Sequence, residues 1–164
     1  MKLVLLETPY AGDVLRNLAY ARACMRACFG FGWAPFASHM LYTQPGVLDD
    51  EIPIEREQGM EGGFAWGERA DLTVLGVDLG ISRGMQAGID RASLVGRPVE
   101  RLSLPEWTRA RALHESGEPA ELARLIVMHS DWAVWRADSA RFYRKLSEDV
   151  GPIPRFVSGA GNTD

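Results

Sequence analysis

Cysteine, basic charge and long apolar runs are all scarce in this 164-residue chain, and each scarcity removes a class of function. Only two cysteines occur, Cys24 and Cys28, in a stretch that reads as helix. They read as small core residues in a reducing compartment. A zinc site would need two further ligands, and no Cys/His cluster supplies them; no metal and no other cofactor is expected. The formal net charge of −4 argues against a protein that coats phosphate backbones, although one or two arginines suffice for a single anionic ligand. The apolar run after Lys2 reaches only Leu3-Val4-Leu5-Leu6 before Glu7 interrupts it, which is too short for a signal h-region. Nothing approaches the ~20 apolar residues of a membrane span. The expectation is a cytoplasmic protein with no nucleic-acid partner and no membrane partner. A phosphate loop of the Gly-Lys-Ser/Thr kind and a Rossmann glycine triplet are also missing, as are internal repeats.

What is present is ordinary for one soluble domain, with 46% apolar and 24% charged residues. Residues 3–6 are wholly apolar and bounded by polar residues, as a central parallel strand reads when both faces are covered. Asp13 stands where an N-cap belongs, ahead of a helix whose predicted buried stripe is Val14, Leu18, Ala21, Met25 and Cys28. Residues 33–41 read as a second strand, 42–53 as a long loop, and 54–69 as a helix weakened by Gly59, Gly62 and Gly63. A buried strand over 72–77, a helix over 82–94 and a strand over 98–104 complete an alternating order. The predicted fold class is therefore α/β: an open, mainly parallel sheet of four to five strands, Rossmann-like, with helices on both faces. Residues 1–104 form this domain, 105–150 a helical extension packed on it, and 151–164 a tail. In the extension, Trp132, Trp135, Ser139, Phe142 and Leu146 recur at spacings of three and four, an aromatic stripe assigned to packing within the chain.

In an open parallel sheet, ligands bind outside the carboxyl ends of the strands. The segments there are 8–12, with Thr8, Pro9, Tyr10 and Gly12; 38–42, with His39; and 78–85, with Asp78, Gly80, Ser82, Arg83, Gly84 and Met85. Tyr10, His39 and Asp78 can each exchange hydrogen bonds with a sugar or base. Each also has a plainer reading, as a loop anchor, a satisfied strand-end histidine and a turn former. The turn 78–84 enters a helix N-terminus, where free N–H groups and the dipole favour an anion beside Ser82 and Arg83.

Thr8-Pro9-Tyr10-Ala11-Gly12, followed by Asn17 and Ala21 and then Gly32, Pro35 and His39, resembles the opening of nucleoside 2-deoxyribosyltransferase-like proteins. The likeness continues through Ala70-Asp71, the apolar strand and the run from Asp78 to Met85, and it spans residues 2–104. The chain also resembles a set of small, often phage-encoded proteins of unassigned function. The resemblance implies a pocket for a nucleoside- or nucleotide-derived small molecule and a homo-oligomer whose neighbouring subunits help complete the pockets. One departure stands out. In the enzymes, a nucleophilic Glu opens a Glu-Ile-x-x-Ala pattern on the helix after the third strand and forms a glycosyl-enzyme intermediate. Here the matching stretch is Gly88-Ile89-Asp90-Arg91-Ala92, and Gly88 has no side chain with which to attack. Asp90 lies about 200° around the helix from that position.

Three readings follow. In the first, the chain holds a nucleoside-like ligand without turnover, with sequestration of a signalling nucleotide as one form. In the second, it hydrolyses or transfers an N-glycosidic bond by a changed mechanism, Asp78 or Glu7 activating water directly. In the third, the pocket is vestigial and the aromatic helix is a partner-binding surface.

Overall fold

Strand β1 (Lys2–Glu7) buries Val4, Leu5 and Leu6 on both of its faces, because it lies inside the sheet. The computed structural model describes residues 1–138. In it, β1 pairs in parallel with β2 (Trp33–Phe36) on one side and β3 (Leu72–Gly76) on the other; β4 (Val99–Leu102) closes the order β2-β1-β3-β4. All four strands run parallel, so every connection is a crossover. Helix α1 (Val14–Gly30) lies on one face with α5 (Pro105–Glu115) and α6 (Ala120–Ser130). The short α2 (Ser38–Tyr42), α3 (Pro53–Gly67) and α4 (Arg83–Leu94) belong to the connections that cross the other face. The fold is the α/β sheet with helices and a helical C-terminal part. No helix among the described residues is long and apolar enough to cross a membrane.

Alternation along β1 decides which residue serves which layer. Val4 and Leu6 join Tyr20, Cys24, Trp107 and Leu125 in one core cluster under α1, α5 and α6. Leu5 points the other way, its Cδ2 lying 3.2 Å from where a Cβ at Gly67 of α3 would stand. Glu7 follows Leu5 onto that same face. Trp107 is fully buried and meets Tyr20 edge-on at 5.1 Å, so α5 contributes to the domain core rather than decorating it.

Three expectations need correction. Residues 33–41 are not one strand: β2 stops at Phe36 and the chain turns into α2. A short apolar run does not by itself distinguish strand from helix, and Pro35 suits the edge position that β2 occupies. The buried stripe of α1 runs through Asn17, Tyr20, Ala21, Cys24 and Cys28, while Val14 is 37% exposed. Polar Asn17 and Tyr20 take buried places because acceptors await them there. The aromatic stripe departs from the expectation at Trp132, which is 63% exposed and stacks at 5.0 Å on Trp135, while half-buried Trp135 packs within the chain, with the Arg26 guanidinium of α1 5.3 Å from its ring centroid. Ser139, Phe142 and Leu146 lie outside the described residues.

The helix starts agree with the residues that were read as starts. Asp13 accepts the Arg16 N–H at 3.1 Å. Ser82 caps α4 by accepting the Met85 N–H at 3.2 Å, while its own N–H points to the Met85 sulfur at 3.5 Å.

Candidate functional site at the carboxyl rim of the sheet

The loop after β1 is held in shape from below. The Asn17 side-chain amide donates to the carbonyls of Tyr10 and Ala11 at 2.8 and 2.9 Å, and Gly12 turns the chain with φ 90°. That leaves Tyr10 partly exposed above buried Thr8 and Pro9. The helical turn of α2 carries His39 back toward this loop. Its Nε2 lies 2.8 Å from Thr8 Oγ1, and its ring centroid is 6.2 Å from that of Tyr10. Burial lowers the His39 pKa to about 4, so the imidazole is neutral near pH 7 and serves as a hydrogen-bonding group. Thr8, Pro9, Tyr10, Gly12 and His39 are thus gathered at one part of the rim.

Beside them opens a cavity of about 680 Å³, bounded by residues 10–12 on one side and by the segment 43–51 on the other. Asp49, Asp50, Glu51 and Glu55 line it, giving it an acidic wall. Asp50 is paired with Arg56 of α3, and Glu55 accepts the Asp49 N–H at 2.6 Å. A smaller adjoining cavity of about 60 Å³ reaches His39, Arg56 and Met60. Sequence reasoning missed this wall, having treated 42–53 only as a loop; the density of acids in 49–55 was the available signal.

The second half of the expected site lies elsewhere. The Asp78 carboxylate accepts from the hydroxyls of Tyr20 (2.7 Å), Ser103 (2.7 Å) and Thr108 (2.5 Å) and from the Leu104 N–H (2.9 Å). Burial pushes its pKa up, but these donors together prevail and hold it below its usual value. Its carbonyl also accepts from Arg111 at 3.1 Å. Asp78 therefore ties α1, β3 and α5 together, and its lone pairs are occupied. Gly80 turns beside Arg111 with φ 90°. Met85 is 1% exposed and belongs to the core, Ser82 is engaged as the cap, and Arg83 is exposed. Gly84 faces Arg56, whose Nη2 lies 3.6 Å from where a Cβ would stand.

Glu7 is the other rim carboxylate, and it is differently placed. A Cβ on Gly88 of α4 would lie 2.6 Å from Glu7 Oε1 and 2.8 Å from its Cδ, so the Glu7 carboxyl rests against the bare backbone of that helix. Burial raises its pKa to about 7, partly offset by the Arg97 guanidinium. Arg97 is itself buried, donating to Thr73 Oγ1 (2.8 Å) and the Gly67 carbonyl (2.6 Å), with Nη2 lacking a partner among the described residues. Among the described residues no group of three or more His, Cys, Asp or Glu side chains is arranged to hold a metal ion.

A family model described as a domain of unknown function, DUF7768, matches residues 2–102. The chain belongs to the DUF7768 family. Neither a curated protein nor a solved structure matches it. The DUF7768 match runs from the first residue of β1 to the last of β4, so it contains the loop 8–12, His39, the acidic wall, Glu7 and Gly88. Helices α5 and α6 follow it in the chain, yet Trp107 and Leu125 fill the core of the DUF7768 domain.

Proposed function

We propose that the rim cavity of this DUF7768 protein binds a nucleoside-derived small molecule. The observation that carries the reading is a cavity of about 680 Å³ lined by Tyr10, whose ring lies beside neutral His39, itself bonded to Thr8 and lining the smaller adjoining cavity. That volume falls in the ~300–1,000 Å³ range of small-molecule sites. It lies outside the carboxyl ends of parallel strands, where such sheets place their ligands. Tyr10 offers a flat face to a base, and the carboxylates of the wall accept from sugar hydroxyls.

The acidic wall narrows the ligand further. A phosphate brought within 4 Å of one carboxylate meets a repulsion of about 1 kcal/mol in bulk water and about 4 kcal/mol at the effective dielectric of a protein surface. A nucleoside without phosphate is therefore preferred over its monophosphate. Isothermal titration calorimetry with a panel of nucleosides and their 5′-monophosphates tests this. The expected result is binding of at least one nucleoside, at least ~10-fold tighter than its monophosphate, and weakened by Tyr10→Ala in a protein that still unfolds cooperatively. Binding of no nucleoside by wild type, or an unchanged affinity in Tyr10→Ala, refutes the reading.

The Glu7 carboxyl, engaged by no hydrogen bond among the described residues, favours a second reading in which the N-glycosidic bond of the bound nucleoside is cleaved. The proposal extends to a homo-oligomer, for which Leu15, Phe29 and Phe31, 56–60% exposed on or just after α1, offer apolar surface. Sedimentation velocity across a dilution series checks it, a monomer at every concentration being the adverse result.

A further inference from the structure

We propose that the rim cavity selects a nucleoside whose sugar carries a positive charge, of the kind a protonated amino substituent supplies. The inference rests on the nucleoside pocket proposed above and names the ligand class within it.

The cavity of about 680 Å³ has two unlike walls. The loop after β1 and the start of α1 contribute Tyr10, Ala11, Gly12 and Val14, an uncharged and partly aromatic surface. Across from it, Asp49, Asp50, Glu51 and Glu55 carry all the charge of the lining, and that charge has one sign. No Lys, Arg or His lines this cavity.

The acids also fold the segment that presents them. Glu55 accepts the Asp49 N–H at 2.6 Å, and Asp49 accepts the Glu51 N–H at 2.9 Å. Each bond uses one carboxylate oxygen and leaves the charge in place. Arg56 of α3 neutralises Asp50 alone. Arg16 of α1 is held by Asp13 at 4.0 Å and by the Asn17 side-chain oxygen at 3.1 Å. Asp49, Glu51 and Glu55 therefore keep their charge without an ion-pair partner among the described residues.

Charges of one sign around a concave space concentrate the opposite charge within it. A metal ion needs several oxygens converging on one point, and among the described residues no three His, Cys, Asp or Glu side chains converge so. An ammonium makes no such demand, because its three rotatable donors can meet carboxylates that stand apart. His39, in the adjoining smaller cavity, adds a second hold. Thr8 engages its Nε2, its Nδ1 has no partner among the described residues, and the neutral ring brings no positive charge to repel a cation.

The two walls also say where on the ligand the charge belongs. Tyr10 is the aromatic surface of the cavity, so the base stacks there and the sugar turns toward the acids. A positive charge on the sugar meets carboxylates, whereas one on the base would face the uncharged wall.

Calorimetry on the full chain tests this, comparing the common nucleosides with their 5′-amino-5′-deoxy and 3′-amino-3′-deoxy analogues near pH 7, where an alkyl amine is protonated. At least one amino analogue is expected to bind ~10-fold tighter than its parent, an advantage that shrinks as salt is raised. Glu51→Gln combined with Glu55→Gln should cut the advantage to within about threefold and leave the parent's affinity unchanged, since both amides keep the shape and an acceptor oxygen. Glu51→Gln alone disturbs no hydrogen bond among the described residues, and it should remove part of the advantage even if the double variant fails to fold. The inference is overturned if a parent nucleoside binds and no amino analogue binds more tightly, which leaves the pocket proposal standing. It is also overturned by an advantage that persists in full in the variants, or by one that calcium at about 1 mM abolishes, which would assign the wall to a metal ion. If neither parents nor analogues bind, the pocket reading fails first and takes this one with it.

Discussion

Glu7→Gln removes a charge and a titration while keeping the shape of the side chain, so its effect on stability can be worked out before any activity is measured. Carboxyl titration at about 7 in the fold, against 4.5 for an unperturbed Glu, corresponds to about 3 kcal/mol. The folded state holds the proton more tightly, so between pH 4.5 and 7 it carries more protons than the unfolded chain. Unfolding free energy therefore falls by about 3 kcal/mol as pH rises through this window and levels off above it. Gln has nothing to titrate. The variant and wild type should be close to equal at pH 4.5–5, and the variant should be more stable by about 3 kcal/mol at pH 8.

His39 complicates the raw profile, and the comparison with the variant removes the complication. Its imidazole titrates at about 4 in the fold against 6.5 ordinarily, so its contribution is complete above pH 6.5 and is lost as pH falls toward 4. The two slopes oppose each other between pH 4.5 and 6.5, and wild type alone should look deceptively flat there. The difference between Glu7→Gln and wild type cancels the histidine. Urea unfolding followed by tryptophan fluorescence, at intervals from pH 5 to 8, measures it. A variant that tracks wild type within about 1 kcal/mol over the whole range would show that Glu7 titrates as an ordinary exposed carboxyl.

Other perturbations separate the rim from the scaffold. Asp78→Ala strips four donors of their acceptor and should destabilise by about 3 kcal/mol or more in urea unfolding, while nucleoside affinity per folded molecule is unchanged; a loss of affinity alone would make Asp78 a ligand group after all. Trp107→Ala should lower stability by about 3–5 kcal/mol, since its ring is fully buried against Tyr20, and a change under ~1 kcal/mol would place α5 outside the core. Trp132→Ala should change stability by no more than about 0.5 kcal/mol, because the ring is 63% exposed, and a loss above ~2 kcal/mol would mean that something covers it.

The layered order was legible because its signals are local. A wholly apolar run in β1 and a largely apolar one in β3 state that both faces are covered, and Asp13 and Ser82 state where helices begin. What was not legible required knowing which face a residue meets. The α1 stripe was misplaced because Asn17 and Tyr20 are polar, and only the carbonyls of Tyr10 and Ala11 and the carboxylate of Asp78 explain their burial. The turn of α2 hid inside an apolar run and moved His39 from a strand end to a helix. In the site, Thr8, Tyr10 and His39 could be grouped from topology alone. Asp78 was assigned to the ligand because its position is right, but its partners Ser103 and Thr108 come from the chain after β3 and turn it toward the fold.

Glu7 and Asp78 stand at the ends of neighbouring strands, carry the same functional group, and titrate in opposite directions. The difference is which layer each faces. Asp78 meets hydroxyls from α1 and α5 and the N–H of Leu104, donors that stabilise its charge and fix its place. Glu7 meets a glycine, which offers no donor from a side chain and excludes water from one flank, so its charge is disfavoured. A glycine inside a helix costs about 1 kcal/mol relative to alanine, and α4 carries one at the position where a Cβ would collide with that carboxyl. Replacing Gly88 by Glu would therefore not simply add a nucleophile. Two carboxylates would compete for one space, and either the new side chain or Glu7 would have to turn out to water. In this DUF7768 protein the space between β1 and α4 is already taken by the Glu7 carboxyl, and the bare backbone at Gly88 is what admits it.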